Sequence, residues 1–510
     1  MTSSRYSARI QTTIPGRIVI DCANITAGGG REMRVLAIGT GLGSFVLRSR
    51  ERNLGLTVSR FCVWLLATPI SRRILNRPTV MNMSNYDLPK DMANHLVDPH
   101  YYTNPDRLHE TYAWARANNP VGRAMADGHD PFWVVTKHAD VSMISRDTVS
   151  FCNGEYSVVC RPKASIEHVI SATGSPNIVR SLVHVDGDEH KNLRALTQSW
   201  FMPNSIIKLD GRIRSLARAM TAKLLQQSGQ VIDFANDVAS HYPLNVIMDI
   251  LGVPQEDSLR LLTLTHEMFG SEDAEYKREM QRQGDSSSAM GKALLSVVAD
   301  FKDYFKRLTE DRRANARNDI ASVLANAVVN GQPIDERTLL GYYVIIAAAG
   351  HDTVSSSISV AMWALSRFPE LLPRLQADRS LIPQFIDETC RYASPVRHFM
   401  RTATVDTDVR GRTIRKGDWL MLCYGSANFD EEVFPEPFNF NIDRKPNRHL
   451  AFGVGAHVCL GQHLANMEMR ILFEELIPRL RLIEPAGEIE FIASSFVGGP
   501  KHLPVRCVMQ

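Results

Sequence analysis

The stretch from His449 to Gly461 constrains this chain more than any other, because it sets a single cysteine in a loop of small residues. Cys459 ends the run Phe-Gly-Val-Gly-Ala-His-Val-Cys, and a helical pattern begins at Gln462. A thiolate that binds a metal needs backbone groups close by, and glycine permits that approach. It also needs donors and positive potential, which a helix N-terminus supplies. The stretch therefore predicts that Cys459 is presented as a thiolate ligand.

A lone cysteine is more often a small buried hydrophobe than a ligand, so the rest of the sequence decides between the two interpretations. The eight cysteines are scattered and form no Cys-x-x-Cys pair, which argues against a structural zinc site and a disulfide framework. With 44% hydrophobic and 22% charged residues, the composition is that of a soluble globular protein. The net charge of +3 gives no case for binding nucleic acid.

A second motif lies in the longest periodic stretch, residues 335–367, for which Asp335 is a candidate N-cap. Its centre reads Ala-Ala-Ala-Gly350-His-Asp352-Thr353. Glycine inside a helix costs about 1 kcal/mol relative to alanine, and the threonine hydroxyl can bond back to the carbonyl four residues earlier. Small residues would let a flat cofactor approach, and an acid beside an alcohol suits proton transfer. The alternative is an ordinary core helix that tolerates a glycine.

Two pairs of charged or polar side chains share helix faces. His190 and Arg194 are four residues apart, which suits a dianionic partner, although a solvated helix face explains them equally well. Glu388 and Arg391 are three residues apart, and by spacing alone they could form just an exposed ion pair that contributes little to stability.

These motifs, in this order over roughly residues 85–508, resemble those of the cytochrome P450 monooxygenases. The resemblance implies a fold that is mainly α with a smaller β region, a triangular helix-rich prism around a buried haem. We expect residues 84–510 to form a single haem domain. Within the family, the chain looks most like the bacterial, ferredoxin-dependent type that hydroxylates terpineol.

The resemblance also assigns roles to single residues. Cys459 would ligate haem b, with O₂ as co-substrate, while Asp352 and Thr353 deliver protons and Gly350 opens the helix. The residues expected to hold the haem are His190, Arg194, Arg401, His457, Phe452, Gly453 and Gly461. The residues expected to support the cysteine loop are Glu388, Arg391 and Arg444. The apolar or small residues expected in the substrate pocket are Ala348, Val396, Phe496 and Val497.

The activity implied is insertion of one oxygen atom of O₂ into a C–H bond of a small hydrophobic substrate. We expect a terpenoid such as terpineol, or a small aromatic or alicyclic hydrocarbon. No flavin or iron–sulfur motif is recognisable, so a 2Fe–2S ferredoxin and an NAD(P)H-dependent ferredoxin reductase are the expected electron donors. The longest apolar run, 61–70, is too short to span a bilayer. We therefore expect a soluble, cytoplasmic monomer without a transmembrane anchor.

Two other functions remain open from the sequence. A peroxygenase driven by hydrogen peroxide would not need the Asp352–Thr353 pair. A non-catalytic haem protein that senses a ligand would not need that pair either, and no sensor-output domain is recognisable. The intact acid–alcohol pair favours the monooxygenase over both.

The first eighty residues differ from the rest, with twelve arginines, no lysine and three acidic residues. Their apolar runs are short and interrupted by glycine. We expect residues 1–83 to be an N-terminal extension that is disordered or absent from the mature enzyme, with Met81 and Met83 as candidate starts.

Overall fold

A computed structural model describes four strands within residues 7–48 by their backbone, and residues 86–277 and 287–510 in greater detail. The chain divides into two compact units, Met1–Met83 and Ser84–Gln510. That residues 84–510 form a single haem domain stays a prediction.

The first unit contains an antiparallel sheet of four strands in sequential order. They are β1 (Ser7–Ile14), β2 (Arg17–Ala27), β3 (Arg31–Gly39) and β4 (Phe45–Arg48). Met81 and Met83 lie outside the described residues. The expectation that this extension is disordered or absent from the mature enzyme therefore remains a prediction.

The second unit is mainly helical, as expected. Its helices are α1 (Lys90–His95), α2 (Pro105–Asn118), α3 (His138–Arg146), α4 (Lys163–Thr173), α5 (Gly187–Gln198), α6 (Pro203–Ile206), α7 (Asp210–Gln226), α8 (Tyr242–Leu251), α9 (Ser258–Phe269), α10 (Ser287–Ala314), α11 (Ile320–Ala325), α12 (Glu336–Ala349), α13 (Asp352–Arg367), α14 (Leu371–Ala377), α15 (Ile382–Ala393), α16 (Tyr424–Ala427) and α17 (Gln462–Leu476).

A smaller β region accompanies the helices. Its strands are β5 (Val121–Ala124), β6 (Phe132–Val135), β7 (Phe151–Cys152), β8 (Val231–Asp233), β9 (Val328–Val329), β10 (Gln332–Pro333), β11 (His398–Ala403), β12 (Thr407–Val409), β13 (Arg412–Ile414), β14 (Trp419–Cys423), β15 (Leu480–Pro485), β16 (Glu490–Phe491), β17 (Pro500–His502) and β18 (Pro504–Met509). The largest sheet has the order β5-β6-β14-β11-β7, and only its β6–β14 pair is parallel. A second sheet has the order β15-β18-β8.

The periodic stretch at 335–367 is two consecutive helices rather than one. The Asp335 side chain accepts a hydrogen bond from the backbone N–H of Thr338 at 3.0 Å and caps α12, as predicted. The helix ends at Ala349, and α13 begins at Asp352. The break at Gly350 and His351 falls at the helical turn that the glycine and the threonine hydroxyl are predicted to destabilise.

Glu336–Arg367 is also long and apolar enough to cross a membrane, but 67% of its most apolar window is buried in the protein. The main hydrophobic core explains this, because it contains residues of α8, α12, α13, α15 and α17. A buried core helix passes the same test of length and composition. The helix break and the cysteine loop before α17 thus both lie beside the core.

Candidate active site

The cysteine loop is a tight backbone turn in front of α17. The backbone N–H of Cys459 donates to the carbonyl of Phe452 at 2.8 Å. Gly453 and Gly455 have φ angles of +67° and +83°, which disfavour side chains. A Cβ on Gly455 would lie 2.5 Å from the Ser145 carbonyl oxygen, so the loop is also held close to α3. The glycines therefore permit both the backbone turn and its close packing against α3.

The Cys459 thiol is exposed to an internal cavity while protein surrounds it on the other sides. Burial raises the pKa of this thiol, and the backbone N–H groups of Gly461 and Gln462 and the charge of Arg194 act to lower it. The donors come from the start of α17, as the sequence predicts. Groups that favour a thiolate are thus already directed at this sulfur.

The cavity has a volume of about 250 Å³ and a mostly apolar lining. Residues on one face of α12 and α13 recur along it every three or four positions: Tyr342, Ile345, Ile346, Ala349, Gly350, Thr353, Val354 and Ser357. This spacing is that of a single helix face. The cysteine loop and the residues around the helix break therefore line the same space.

All seven residues predicted to hold the haem line this cavity, among them the polar or charged side chains of His190, Arg194, Arg401 and His457. Arg401 is buried and donates to the Met400 carbonyl at 2.8 Å. Neither Arg194 nor Arg401 forms an ion pair with any described residue. Cations in a largely apolar cavity are costly unless a partner compensates them. The two arginines are therefore suited to an anionic ligand such as a pair of carboxylates.

The two histidines lie against each other, with ring centroids 4.2 Å apart. His457 Nε2 is 3.1 Å from Asp186 Oδ1. Burial, followed by the charges of His457 and Arg194, lowers the pKa of His190 to about 4. His190 is therefore neutral at pH 7, and its ring could hydrogen-bond to a ligand without contributing a charge.

The three predicted supporting residues meet in one buried cluster. Arg391 binds Glu388 in bidentate fashion, through Nε at 2.8 Å and Nη2 at 2.7 Å, and both side chains are buried. Arg444 Nε donates to the same carboxylate at 3.3 Å. Glu388 and Arg391, three residues apart in α15, thus form a buried ion pair and not an exposed one.

This cluster connects to the cysteine loop through Asn428. Arg391 Nη1 donates to the Asn428 carbonyl at 2.8 Å, and the Asn428 side-chain oxygen accepts from the Leu450 N–H at 2.6 Å. The Leu450 carbonyl then accepts from the Gly453 N–H at 2.9 Å. A continuous hydrogen-bond path therefore leads from Glu388 to the turn before Cys459.

The acid and the alcohol of the helix motif lie in different places. Thr353 Oγ1 donates to the Ala349 carbonyl at 2.9 Å, as predicted, and lines the main cavity with Gly350. Asp352 does not line that cavity; it borders a second one of about 30 Å³. Burial acts to raise the pKa of Asp352, but His351 and His266 outweigh it and hold the pKa below its ordinary value.

The predicted substrate-pocket residues are only partly brought together. Val396 lines the main cavity, whereas Val497 pairs with it in a β-bridge and borders the smaller cavity. Ala348 is buried and lies outside the lining, where its neighbour Ala349 takes its place. Phe496 is also outside the lining and packs against Phe399, with ring centroids 5.3 Å apart. The placement of Ala348, Phe496 and Val497 against the main cavity is therefore corrected.

Two features of the site were not predicted from the sequence: the position of Ala349 and the proximity of His266 to Asp352. Ala349 could have been chosen over Ala348, because it is four residues before Thr353 and shares its helix face. His266 in α9, with Nε2 at 3.6 Å from Asp352 Oδ1, had no such signal. It is 86 residues away in sequence from Asp352, and only the packing of α9 beside the helix break reveals it.

We expect replacement of Gly350 by alanine to lower the free energy of unfolding by about 1–3 kcal/mol. The added Cβ would lie 2.7 Å from Ile247 Cγ1 on α8. Urea unfolding of Gly350→Ala, Ile247→Ala and the double variant forms a mutant cycle. The close approach predicts that Ile247→Ala costs less in the Gly350→Ala background; additive costs would contradict it.

The residues present fit a haem. One cavity is lined by a thiol with converging donors, by two cations that are unpaired among the described residues, and by an apolar helix face with a glycine. A macrocycle with two carboxylates and an iron atom would use each of these groups.

Comparisons with known proteins agree with this geometry. A family model described as cytochrome P450 matches residues 161–504. The chain is 42% identical over 420 residues to cytochrome P450-terp of a Pseudomonas species, covering 82% of this chain and 98% of the relative. It is 30% identical over 413 residues to linalool 8-monooxygenase of Pseudomonas putida, covering 81% of this chain and 98% of that one.

Solved structures agree as well. The crystal structure of CYP108D1 from Novosphingobium aromaticivorans superposes with a TM-score of 0.76 at 42% identity, covering 83% of this chain and all of the other. The Mycobacterium marinum cytochrome P450 CYP268A2, in complex with pseudoionone, gives a TM-score of 0.73 at 26% identity and covers 84% of this chain and all of that one. The fold expected from the sequence is confirmed.

Proposed function

This chain belongs to the cytochrome P450 family and is a haem-dependent monooxygenase, and we propose that it hydroxylates a compact terpenoid with electrons from a ferredoxin. The observation that carries the site assignment is the Cys459 thiol, which faces the cavity with N–H groups and Arg194 directed at it. When bound, haem would supply oxygen activation and attack on a C–H bond, and Cys459 would hold it as a thiolate ligand that favours this chemistry.

The protein positions the reactants and controls proton supply. Arg194, Arg401 and His457 would hold the haem carboxylates, with His190 as a neutral hydrogen-bonding neighbour. Thr353 donates its own hydroxyl proton to the Ala349 carbonyl, so its oxygen lone pairs are left to accept a hydrogen bond from a water in the cavity. Asp352, one residue before it, is the nearest acid in sequence and would return protons to this hydroxyl.

The substrate class follows from the cavity and its relatives. Ile345, Ala349, Val396 and Phe399 give an apolar lining with a small residue at the helix break. Such a pocket fits a compact hydrocarbon or monoterpene alcohol. The names of P450-terp and linalool 8-monooxygenase support the same class. Titration of the ferric enzyme with terpineol, linalool and a small aromatic hydrocarbon should give a substrate-induced shift of the Soret band; no shift with the terpenoids would contradict the proposal.

A 2Fe–2S ferredoxin with its reductase is the proposed electron donor for a soluble, cytoplasmic, monomeric enzyme. Arg146, Lys445 and Arg448 are exposed near the cysteine loop and would attract an acidic partner. Steady-state assays should show that product formation saturates with ferredoxin and weakens with added salt. Equal rates with hydrogen peroxide alone would favour a peroxygenase, and NADH consumption without oxygenated product would favour a non-catalytic haem protein.

We expect Thr353→Ala to reduce the product formed per NADH by about tenfold and to release the difference as hydrogen peroxide, because an acceptor for delivered protons is lost. Substrate binding, read by the Soret shift, should stay unchanged. Thr353→Ser keeps the hydroxyl and serves as the matched control. Unchanged coupling in the alanine variant would remove Thr353 from proton delivery.

A further inference from the structure

A cluster of three metal-ligating side chains lies beside the smaller cavity. It joins His266 of α9, His351 of the helix break and Asp352 of α13. His351 Nδ1 is 3.0 Å and His266 Nε2 is 3.6 Å from the same Asp352 oxygen, Oδ1. The three ligand atoms all lie within 4.8 Å of one another. Residues 86 positions apart in sequence thus converge on one point.

The hydrogen bonding of His351 favours a cation between its Nδ1 atom and Asp352 Oδ1. His351 Nε2 is 2.7 Å from the Ser240 carbonyl, which can only accept, so Nε2 carries a proton. In a neutral imidazole the lone pair is then on Nδ1, where it faces a carboxylate oxygen. Two acceptors at 3.0 Å repel each other unless a positive ion lies between them. That ion is either a proton or a metal.

The second observation concerns the other carboxylate oxygen. Asp352 is only 9% exposed, and its Oδ2 is buried without a hydrogen-bond partner among the described residues. A buried unpaired carboxylate oxygen is unfavourable and is usually explained by an ion or water. Asp352 and His266 both border the smaller cavity, whose volume of about 30 Å³ leaves room for a further ligand.

We propose that His266, His351 and Asp352 form a binding site for a divalent transition-metal cation such as zinc. Bonds of about 2.0–2.1 Å in a tetrahedron separate neighbouring ligand atoms by about 3.3 Å, close to the separations of 3.0 and 3.6 Å. Imidazole nitrogens favour zinc and its neighbours over magnesium or calcium. The bond from His351 Nε2–H to the Ser240 carbonyl is the outer contact that metal-bound histidines usually make.

A bound cation would change what the enzyme can do. It would fix the Asp352 carboxylate to α9 and to the helix break, so this acid could no longer pass protons to Thr353. The site would therefore inhibit oxygenation without disturbing the haem. This inhibition rests on the proposed function, whereas binding of the metal does not.

The test is equilibrium dialysis of the haem-loaded enzyme against zinc chloride, followed by metal analysis. We expect about one bound zinc per chain in the wild type and its loss in His266→Asn and Asp352→Asn. His502→Asn is the control, because His502 lies between two other carboxylates, 2.6 Å from Asp233 and 3.1 Å from Glu275. Its zinc content should match that of the wild type.

The absence of bound zinc would overturn the proposal and leave a proton as the shared cation. Equal zinc content in wild type and His266→Asn, or loss in His502→Asn, would also overturn it. The reduced carbon-monoxide spectrum verifies that each variant retains its haem and fold. With electrons supplied, saturating zinc should lower product formation about tenfold in the wild type and in His502→Asn, but not in His266→Asn. A normal binding result with no oxygenation in any sample would contradict the proposed function and leave the metal site standing.

Discussion

Cys459→Ala is expected to abolish the strongly red-shifted Soret band of the reduced carbon-monoxide complex, together with all oxygenation. The Cys459 sulfur faces the cavity with backbone donors directed at it, and alanine offers the iron no donor atom. Cys459→Ser should also lose the band, because an alcohol has a far higher pKa than a thiol and does not supply the same electron density.

Cys390 supplies a matched control, since it is a second cysteine that lines the same cavity. Burial raises the pKa of its thiol, and its side chain faces Asn466 Oδ1 at 3.8 Å. Cys390→Ala should therefore retain the red-shifted band. Persistence of the band in Cys459→Ala, or its loss in Cys390→Ala alone, would contradict the assignment of the ligand.

Arg391→Ala is expected to lower the free energy of unfolding by about 3–5 kcal/mol and to release haem readily. The change leaves the buried Glu388 carboxylate without its bidentate partner and breaks the path through Asn428 to the cysteine loop. Urea unfolding, followed by haem absorbance and far-ultraviolet circular dichroism, measures the shift of the midpoint.

Arg374→Ala is the control for this substitution, because Arg374 forms an exposed pair with Asp443. Exposed pairs contribute about 0–1 kcal/mol, so the midpoint should change little. A comparable loss in both variants would mean that burial of the Glu388–Arg391 pair does not matter for stability, and an unperturbed haem in Arg391→Ala would separate the cluster from the loop.

Features encoded by neighbouring residues could be predicted from the sequence. The turn before Cys459, the Asp335 cap and the bond from Thr353 to the Ala349 carbonyl all follow from spacings within a few residues. The spacing of Glu388 and Arg391 also predicts a charged pair, although its role in supporting the cysteine loop came only from the resemblance.

Features that depend on the tertiary packing could not be predicted in the same way. The sequence shows a run of three alanines, and the rotation of α12 about its axis decides that Ala349 rather than Ala348 faces the cavity. Phe496 and Val497 are adjacent, yet neither lines the main cavity, because Val497 borders the smaller one and Phe496 packs against Phe399. His266 comes from α9, so only the folded chain brings it to Asp352, whereas His351 is the neighbour of that acid in sequence.

The most direct test of the account is the reduced carbon-monoxide difference spectrum of the wild-type enzyme, on the full chain and on protein that starts at Met83. We predict a strongly red-shifted Soret band in both, which would establish a haem held by a thiolate and show that the first unit is dispensable for the site. A band at the position of histidine- or thiol-ligated haem in the full chain would contradict the assignment of Cys459 as the ligand.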